Sequence, residues 1–289
     1  MRISTEISSA AILVGEERAI EAYAKAGFDC YDLSLFAMAK WSNKEGRYLM
    51  EDHPFHGADY LKFVRNLRRV ADSFGITCNQ SHAPFPSHVE QVSSYLERAL
   101  ECTAEAGGKI CIIHPMCFAT VEENAEFYGK LLPVAKSYGV RIATENMWNW
   151  DKVEDHAIPC ACSTAENFVA HVDAVNDPYL VACLDIGHAE MKGLGTSAVE
   201  MIHALGKERL RALHIHDNDK WHDSHRLPFT MDIDFAPIVK ALKDIDYQGD
   251  FTLEVDHLMK EYGADRIDEG ARAMAEGVRR LVQMFDSAS

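Results

Sequence analysis

The sequence predicts an α/β protein of the (β/α)8 class, a TIM barrel built as one domain over residues 1–289. Three observations carry this. Strand-like and helix-like segments alternate from one end of the chain to the other. The strand segments are short and apolar, as strands buried on both faces are. Eight such pairs in 289 residues sit near the usual size of this architecture, about 250 residues. A doubly wound open sheet would show a Gly-rich turn after its first strand, and Glu6-Ile7-Ser8-Ser9-Ala10 is not one.

Taken in order, residues 2–8 read as the first strand, with a helix from near Gly15. Phe28 to Leu35 is the second strand; a polar loop with Trp41 leads to a helix from about Gly57 to Phe74, stopped by Gly75. Ile76 to His82 is strand three. His88 to Ala106 carries helical apolar spacing and ends at Gly107-Gly108. Strand four is Lys109 to His114, and the helix after it runs from Glu122 to Tyr138, ended by Gly139. Strand five, Val140 to Glu145, opens into the longest irregular stretch, Trp148 to Cys162, which suggests an active-site loop. Ser163 or Thr164 caps a helix towards Val175. Strand six is Tyr179 to Asp185, followed by a helix from Ala198 to Leu205; strand seven is Arg209 to His216. A polar loop over 217–232 precedes a helix from Phe235 to Ile245, strand eight covers Asp250 to Glu254, and a helix from Ala264 to Phe285 closes the chain.

Six of these strands end on ionisable residues: Ser81-His82, Ile113-His114, Thr144-Glu145, Leu184-Asp185 with His188 just beyond, the His214-Ile-His216-Asp-Asn-Asp219 run, and Leu253-Glu254-Val-Asp256. A lone His-x-His is more often a pair of half-buried strand residues; six such endings are not chance. In a parallel barrel the C-terminal ends share one mouth, so these residues face one cavity. Carboxylates and imidazoles without a thiolate suit a divalent ion of the manganese, zinc, cobalt or iron range, with magnesium a further option. Several carboxylates in one mouth also need a cation to offset their repulsion.

The chain resembles the xylose isomerase-like barrels: sugar isomerases, ketose epimerases, inosose isomerases and dehydratases, and zinc-dependent apurinic endonucleases. The resemblance is most specific at Asp185-Ile-Gly-His188, His214-Ile-His216-Asp-Asn and Leu253-Glu254. It implies one metal ion held by Glu145, Asp185, His216 and Glu254, with His188 contacting substrate. Five further residues, His82, His114, His188, Asp223 and His225, correspond to the added ligands of the three-zinc endonucleases. The expected activity is a metal-dependent isomerase or epimerase on a sugar or sugar phosphate, with Glu145 and Glu254 moving a proton beside the carbonyl. Arg226 and Trp148 are candidates for substrate contact, and Trp150 and Trp221 share the rim. The alternatives are an apurinic endonuclease, an inosose-type dehydratase, and a barrel that only binds. Phe229-Thr230-Met231 departs from the family, standing where relatives carry a Gly-rich turn after His-x-x-Pro. The resemblance also implies homo-oligomers.

Bulk properties bear on partners. The formal charge is −16, from 45 acidic and 29 basic residues, so a phosphate backbone or an anionic membrane is a poor partner. The rim loops offer chiefly Lys152, Lys192, Lys220 and Arg226 among many acids, too few for a DNA-binding surface. No signal peptide opens the chain, the apolar runs are short of a membrane span, and eight scattered cysteines form no metal motif. The expectation is a cytoplasmic protein with reduced thiols.

Overall fold

The computed structural model describes residues 1–42, 44–49 and 52–288; positions 43, 50 and 51 of the Trp41 loop lie outside them. Eight parallel strands form the barrel: β1 (Ile3–Thr5), β2 (Cys30–Ser34), β3 (Thr77–His82), β4 (Ile110–Ile112), β5 (Arg141–Glu145), β6 (Leu180–Asp185), β7 (Leu210–His214) and β8 (Phe251–Leu253). Strands β2 to β7 pair in sequence order, and β1 pairs with β8. The ring closes through two parallel bridges, Glu6 with Asp32 and Ile215 with Leu253.

The period of two along each strand explains how the mouth is furnished. Ile112, Ala143, Val181, Cys183 and Ala212 form a compact buried cluster drawn from four adjacent strands. Two residues on from a member of that cluster, on the same face, stand His114, Glu145, Asp185 and His214. The apolar layer is the floor, and the ionisable layer lies on it. The opposite strand faces join the helices in the large outer core.

The helices follow the sequence reading apart from local differences, among them short helices at Ile186–Ala189 and Leu258–Tyr262. The predicted helix over 88–106 is two pieces, Glu90–Ser93 and Leu96–Ala106. Ser93 and Ser94 donate their hydroxyls to the carbonyls of Glu90 and Gln91 at 3.1 and 3.0 Å; such side-chain bonding competes with the helical ladder. A short helix, Ser8–Val14, precedes the expected one at Glu16–Ala26. Elsewhere Thr120 and Glu123 form a capping box at the start of Val121–Tyr138, and Thr164 rather than Ser163 caps Ala165–Val175. Among the described residues no helix is long and apolar enough to cross a membrane.

The loops after β2 and β5 contain antiparallel hairpins, Lys40–Ser42 with Arg47–Leu49 and Asn149–Asp151 with His156–Ile158. The second stands on a narrow neck: Met147 N donates to Ala161 O at 3.3 Å, and Ser163 Oγ to Met147 O at 2.6 Å. Trp148 and Trp150 lie against Ala157, Met191 and Leu194, giving the rim its own small core. Cys117 and Cys160 form a disulfide with Cα atoms 5.4 Å apart, joining the loops after β4 and β5. That corrects the expectation of uniformly reduced thiols: 43 residues separate the two in sequence, a proximity that only the barrel's winding creates. The other six cysteines are free and buried.

Candidate active site

Glu145, Asp185, His214 and Glu254 bring one ligand atom each to within 4.8 Å of one another, and all four are buried. His214 is the hub. Its Nδ1 lies 2.9 Å from Glu145 Oε1 and 3.4 Å from Glu254 Oε2, so two carboxylates flank one nitrogen. Its Nε2 faces Asp32 Oδ2 at 3.3 Å, and that oxygen also accepts from Gln80 Nε2 at 2.8 Å. Asp32 therefore backs the ring in the manner of the carboxylates that orient metal-bound histidines.

This differs from the expectation in which His216 completes the set. The β6–β7 register pairs Asp185 with His214, so His214 is level with the carboxylates. His216 stands two residues, roughly 6.6 Å of strand, further out. It joins a second group, with His188, Asp223 and His225. Asp185 touches both layers, its Oδ1 lying 3.2 Å from His216 Nε2.

His82 and His114 occupy the other flank. Their Nε2 atoms are 2.9 Å apart and lie 3.5 and 3.1 Å from Glu145 Oε2. Phe36 and Phe85 cover them, Phe85 stacking on His114 at 4.9 Å between centroids. Trp148 stands edge-on to His188 at 6.3 Å. The structure does not bring Arg226 to the site: its guanidinium is 2.6 Å from Glu261, and its backbone pairs with Asp217. Trp221 is half exposed under Lys192.

The Phe229-Thr230-Met231 turn reaches a glycine-like backbone conformation without a glycine. Phe229 takes the left-handed conformation, φ 70, which a glycine adopts freely and a phenylalanine only when held. Buried Asp217 holds it, accepting from the backbone N–H groups of Thr230, Met231 and Ile233 at 2.9–3.0 Å. The Phe229 ring also lies 3.8 Å under Arg280.

Electrostatics separates the two glutamates. Burial works against charge on Glu145, but His214, with His114 and His82, holds its carboxyl well below the usual range. Burial, with the Glu145 and Asp256 charges, pushes Glu254 up to about 8 against the pull of His214 and His225. Burial also pushes His114 down to about 4. His188 goes the other way: burial opposes its charge, yet Asp185 and Asp223 raise it to about 10.

Residues 20–283 match the family described as the xylose isomerase-like TIM barrel. The chain belongs to this family. Within the xylose isomerase-like barrels, an uncharacterized protein of Methanocaldococcus jannaschii is 25% identical over 218 residues, covering 68% of this chain and 71% of that one. A D-tagatose 3-epimerase-like protein superposes with a TM-score of 0.72 at 20% identity, covering 99% of this chain and 98% of that one. The IOLI protein, solved with a zinc atom, does so with 0.75 at 17% identity, covering 99% and 100%. At these identities the two structures establish the shared fold.

The sequence reading passed over Asp32 and gave His214 no role. A signal for Asp32 was present: it is a carboxylate near the end of an apolar strand, the same pattern that marked the other six.

Proposed function

We propose that the protein is a divalent metal-dependent sugar isomerase or epimerase that removes and returns a proton beside a carbonyl. The observation that carries this is the pair of carboxylates, Glu145 and Glu254, on either side of His214 Nδ1. Buried Glu145 Oε2 and Asp185 Oδ2 have no hydrogen-bond partner; orphaned acceptors of this kind are costly and call for a cation. Glu145, Asp185, His214 and Glu254 would hold it, zinc or manganese suiting a set of three carboxylates and one imidazole. When bound, such an ion polarises a carbonyl and lowers the cost of the enediolate formed next to it.

The residues of the chain do the rest. Glu145, kept ionised by its histidines, is the stronger candidate to accept a proton, and Glu254 the one to return it from the other side. Phe36, Phe85 and Trp148 wall the cavity with apolar surface and exclude water from the strand ends. The sugar-epimerase likeness of one structural neighbour and the zinc in another support this reading.

The layer of His188, Asp223 and His225 favours the endonuclease as the second reading. Against it, three of the four rim cations are engaged within the protein: Lys220 with Glu190, Lys192 over Trp221, and Arg226 with Glu261. The deciding experiment incubates the metal-loaded protein in deuterium oxide with free and phosphorylated ketoses, and separately with abasic DNA. Label beside the carbonyl supports the first reading; DNA cleavage without exchange replaces it by the second.

Two further outcomes follow. Asp32→Asn should weaken metal binding about 10- to 100-fold, the usual effect of losing a carboxylate behind a metal-bound histidine, measured by competition with a chromophoric chelator; unchanged affinity would remove Asp32 from the centre. Metal binding should also tighten as pH rises. Burial opposes charge on the His214 ring, yet Cys183, Glu254 and Glu145, with Asp32 behind it, raise it well above the usual imidazole range, so near neutrality the metal-free ring holds a proton that an ion at Nδ1 must displace. In the metal-free protein the stability from that protonated ring is complete below about 6.5 and is lost as pH climbs through its raised pKa. Calorimetry in two buffers of different ionisation enthalpy should show proton release on binding at pH 7; a buffer-independent heat would contradict this.

A further inference from the structure

The group of His188, His216, Asp223 and His225 is built differently from the one beneath it. Each imidazole is fixed through Nδ1 by a backbone carbonyl: His188 by Asn146 at 2.9 Å, His225 by Glu254 at 3.0 Å, His216 more loosely by Asp217 at 3.4 Å. A carbonyl only accepts, so Nδ1 carries the hydrogen in all three rings and Nε2 is turned inward. The three Nε2 atoms converge on one carboxylate. His188 lies 3.2 Å from Asp223 Oδ2; His216 and His225 lie 3.3 and 3.2 Å from Oδ1. A tetrahedral ion bound at about 2.0–2.1 Å holds its ligands roughly 3.3 Å apart; each Nε2 stands at that distance from the Asp223 carboxylate, and the four ligand atoms all lie within 4.8 Å of one another.

His216 is the informative member. It is fully buried, its Nε2 has no hydrogen-bond partner, and neither has Asp223 Oδ1 facing it. Its ring lies where a side chain at 187 would be: a Cβ on Gly187 would come within 1.9 Å of His216 Cε1. The glycine thus makes room for this imidazole. His225 stands at φ 43, a left-handed conformation that a histidine keeps only when its surroundings hold it.

We propose that His216 closes this group into a four-ligand site for a zinc-class ion, distinct from the Glu145 site. Family resemblance accounts for His188, Asp223 and His225, and three ligands leave a coordination position open to water or substrate; His216 fills it. The upper ion is then a fastener, tying the 217–232 loop to the end of β6, while the lower one remains available to substrate. The inference rests on the metal-dependent reading only in requiring that the mouth be loaded with divalent ions.

The test is cobalt(II) titration of the metal-stripped full chain, read by visible absorption and elemental analysis, alongside His216→Ala, His216→Asn and His214→Ala. The native protein should take two equivalents, one with the intense absorption of four-coordinate cobalt. Both His216 variants should lose that band and bind the second equivalent at least about 100-fold more weakly, since losing a ligand costs no less than losing its supporting partner. Their 217–232 loop should become sensitive to limited proteolysis. His214→Ala should keep the band and lose the other equivalent. His216→Asn, with folding checked by far-ultraviolet circular dichroism, keeps the test valid if the alanine variant does not fold. A native protein that takes one equivalent, lost in His214→Ala, overturns this proposal and leaves the isomerase reading standing; so does an undiminished band in folded His216 variants. No cobalt uptake by any form would overturn both.

Discussion

Glu254→Gln should lower the rate of solvent deuterium exchange into a ketose by at least about 100-fold, the usual scale for removing a general acid or base. The amide keeps the shape of the side chain and can still contact His214, but it cannot carry a proton between substrate and solvent. Glu145→Gln should fall at least as far for a further reason. Glu145 also accepts from His214 Nδ1 at 2.9 Å and lies beside His114 at 3.1 Å, so the change removes the charge that balances these rings. The two variants are separable by metal content, since Glu145 is the more strongly ionised ligand. Exchange that persists near the native rate in both would show that neither carboxylate handles the proton.

Asp185→Ala should empty the Glu145 site almost entirely, to less than about a tenth of its native occupancy under the same dialysis, because losing a direct ligand should exceed the 10- to 100-fold cost of losing a supporting one. Asp185 reaches both layers, belonging to the Glu145 group and lying 3.2 Å from His216. It has a structural duty too, as Oδ1 accepts the His188 N–H at 2.7 Å and caps the short turn Ile186–Ala189. Asp185→Asn retains that cap and loses only the anionic ligand, so comparing the two divides metal loss from local unfolding. Elemental analysis decides it: native metal content in a folded Asp185→Asn protein would place the primary ligands elsewhere.

How much of this could be read from the sequence depends on the range of the interaction concerned. Strand ends were legible because a period of two and an apolar run are local. So was the helix stop at Gly75, which takes φ 73. The gathering of Glu145, Asp185 and Glu254 followed from the fold class, since a parallel barrel brings its strand ends together. The choice between His214 and His216 was not legible: both point the same way, and only the register against Asp185 decides which is level with the carboxylates. Arg226 looked free for substrate because Glu261, which engages it, lies 35 residues further along the chain. The cysteine bridge was hidden for the same reason, whereas the hairpin over 149–158 was hidden because its strands, Asn149–Asp151 and His156–Ile158, are too short to show an alternating pattern.

That hairpin has a consequence for how the protein could change. Its two ends are tied at Met147, Ala161 and Ser163, through bonds that involve none of the residues between Asn149 and Ile158. The neck therefore fixes where the segment leaves and rejoins the barrel, whatever its composition. A change of length or sequence between Asn149 and Ile158 is then borne by the rim contacts of Trp148 and Trp150 with Met191 and Leu194, while the strand end that carries Glu145 keeps its place.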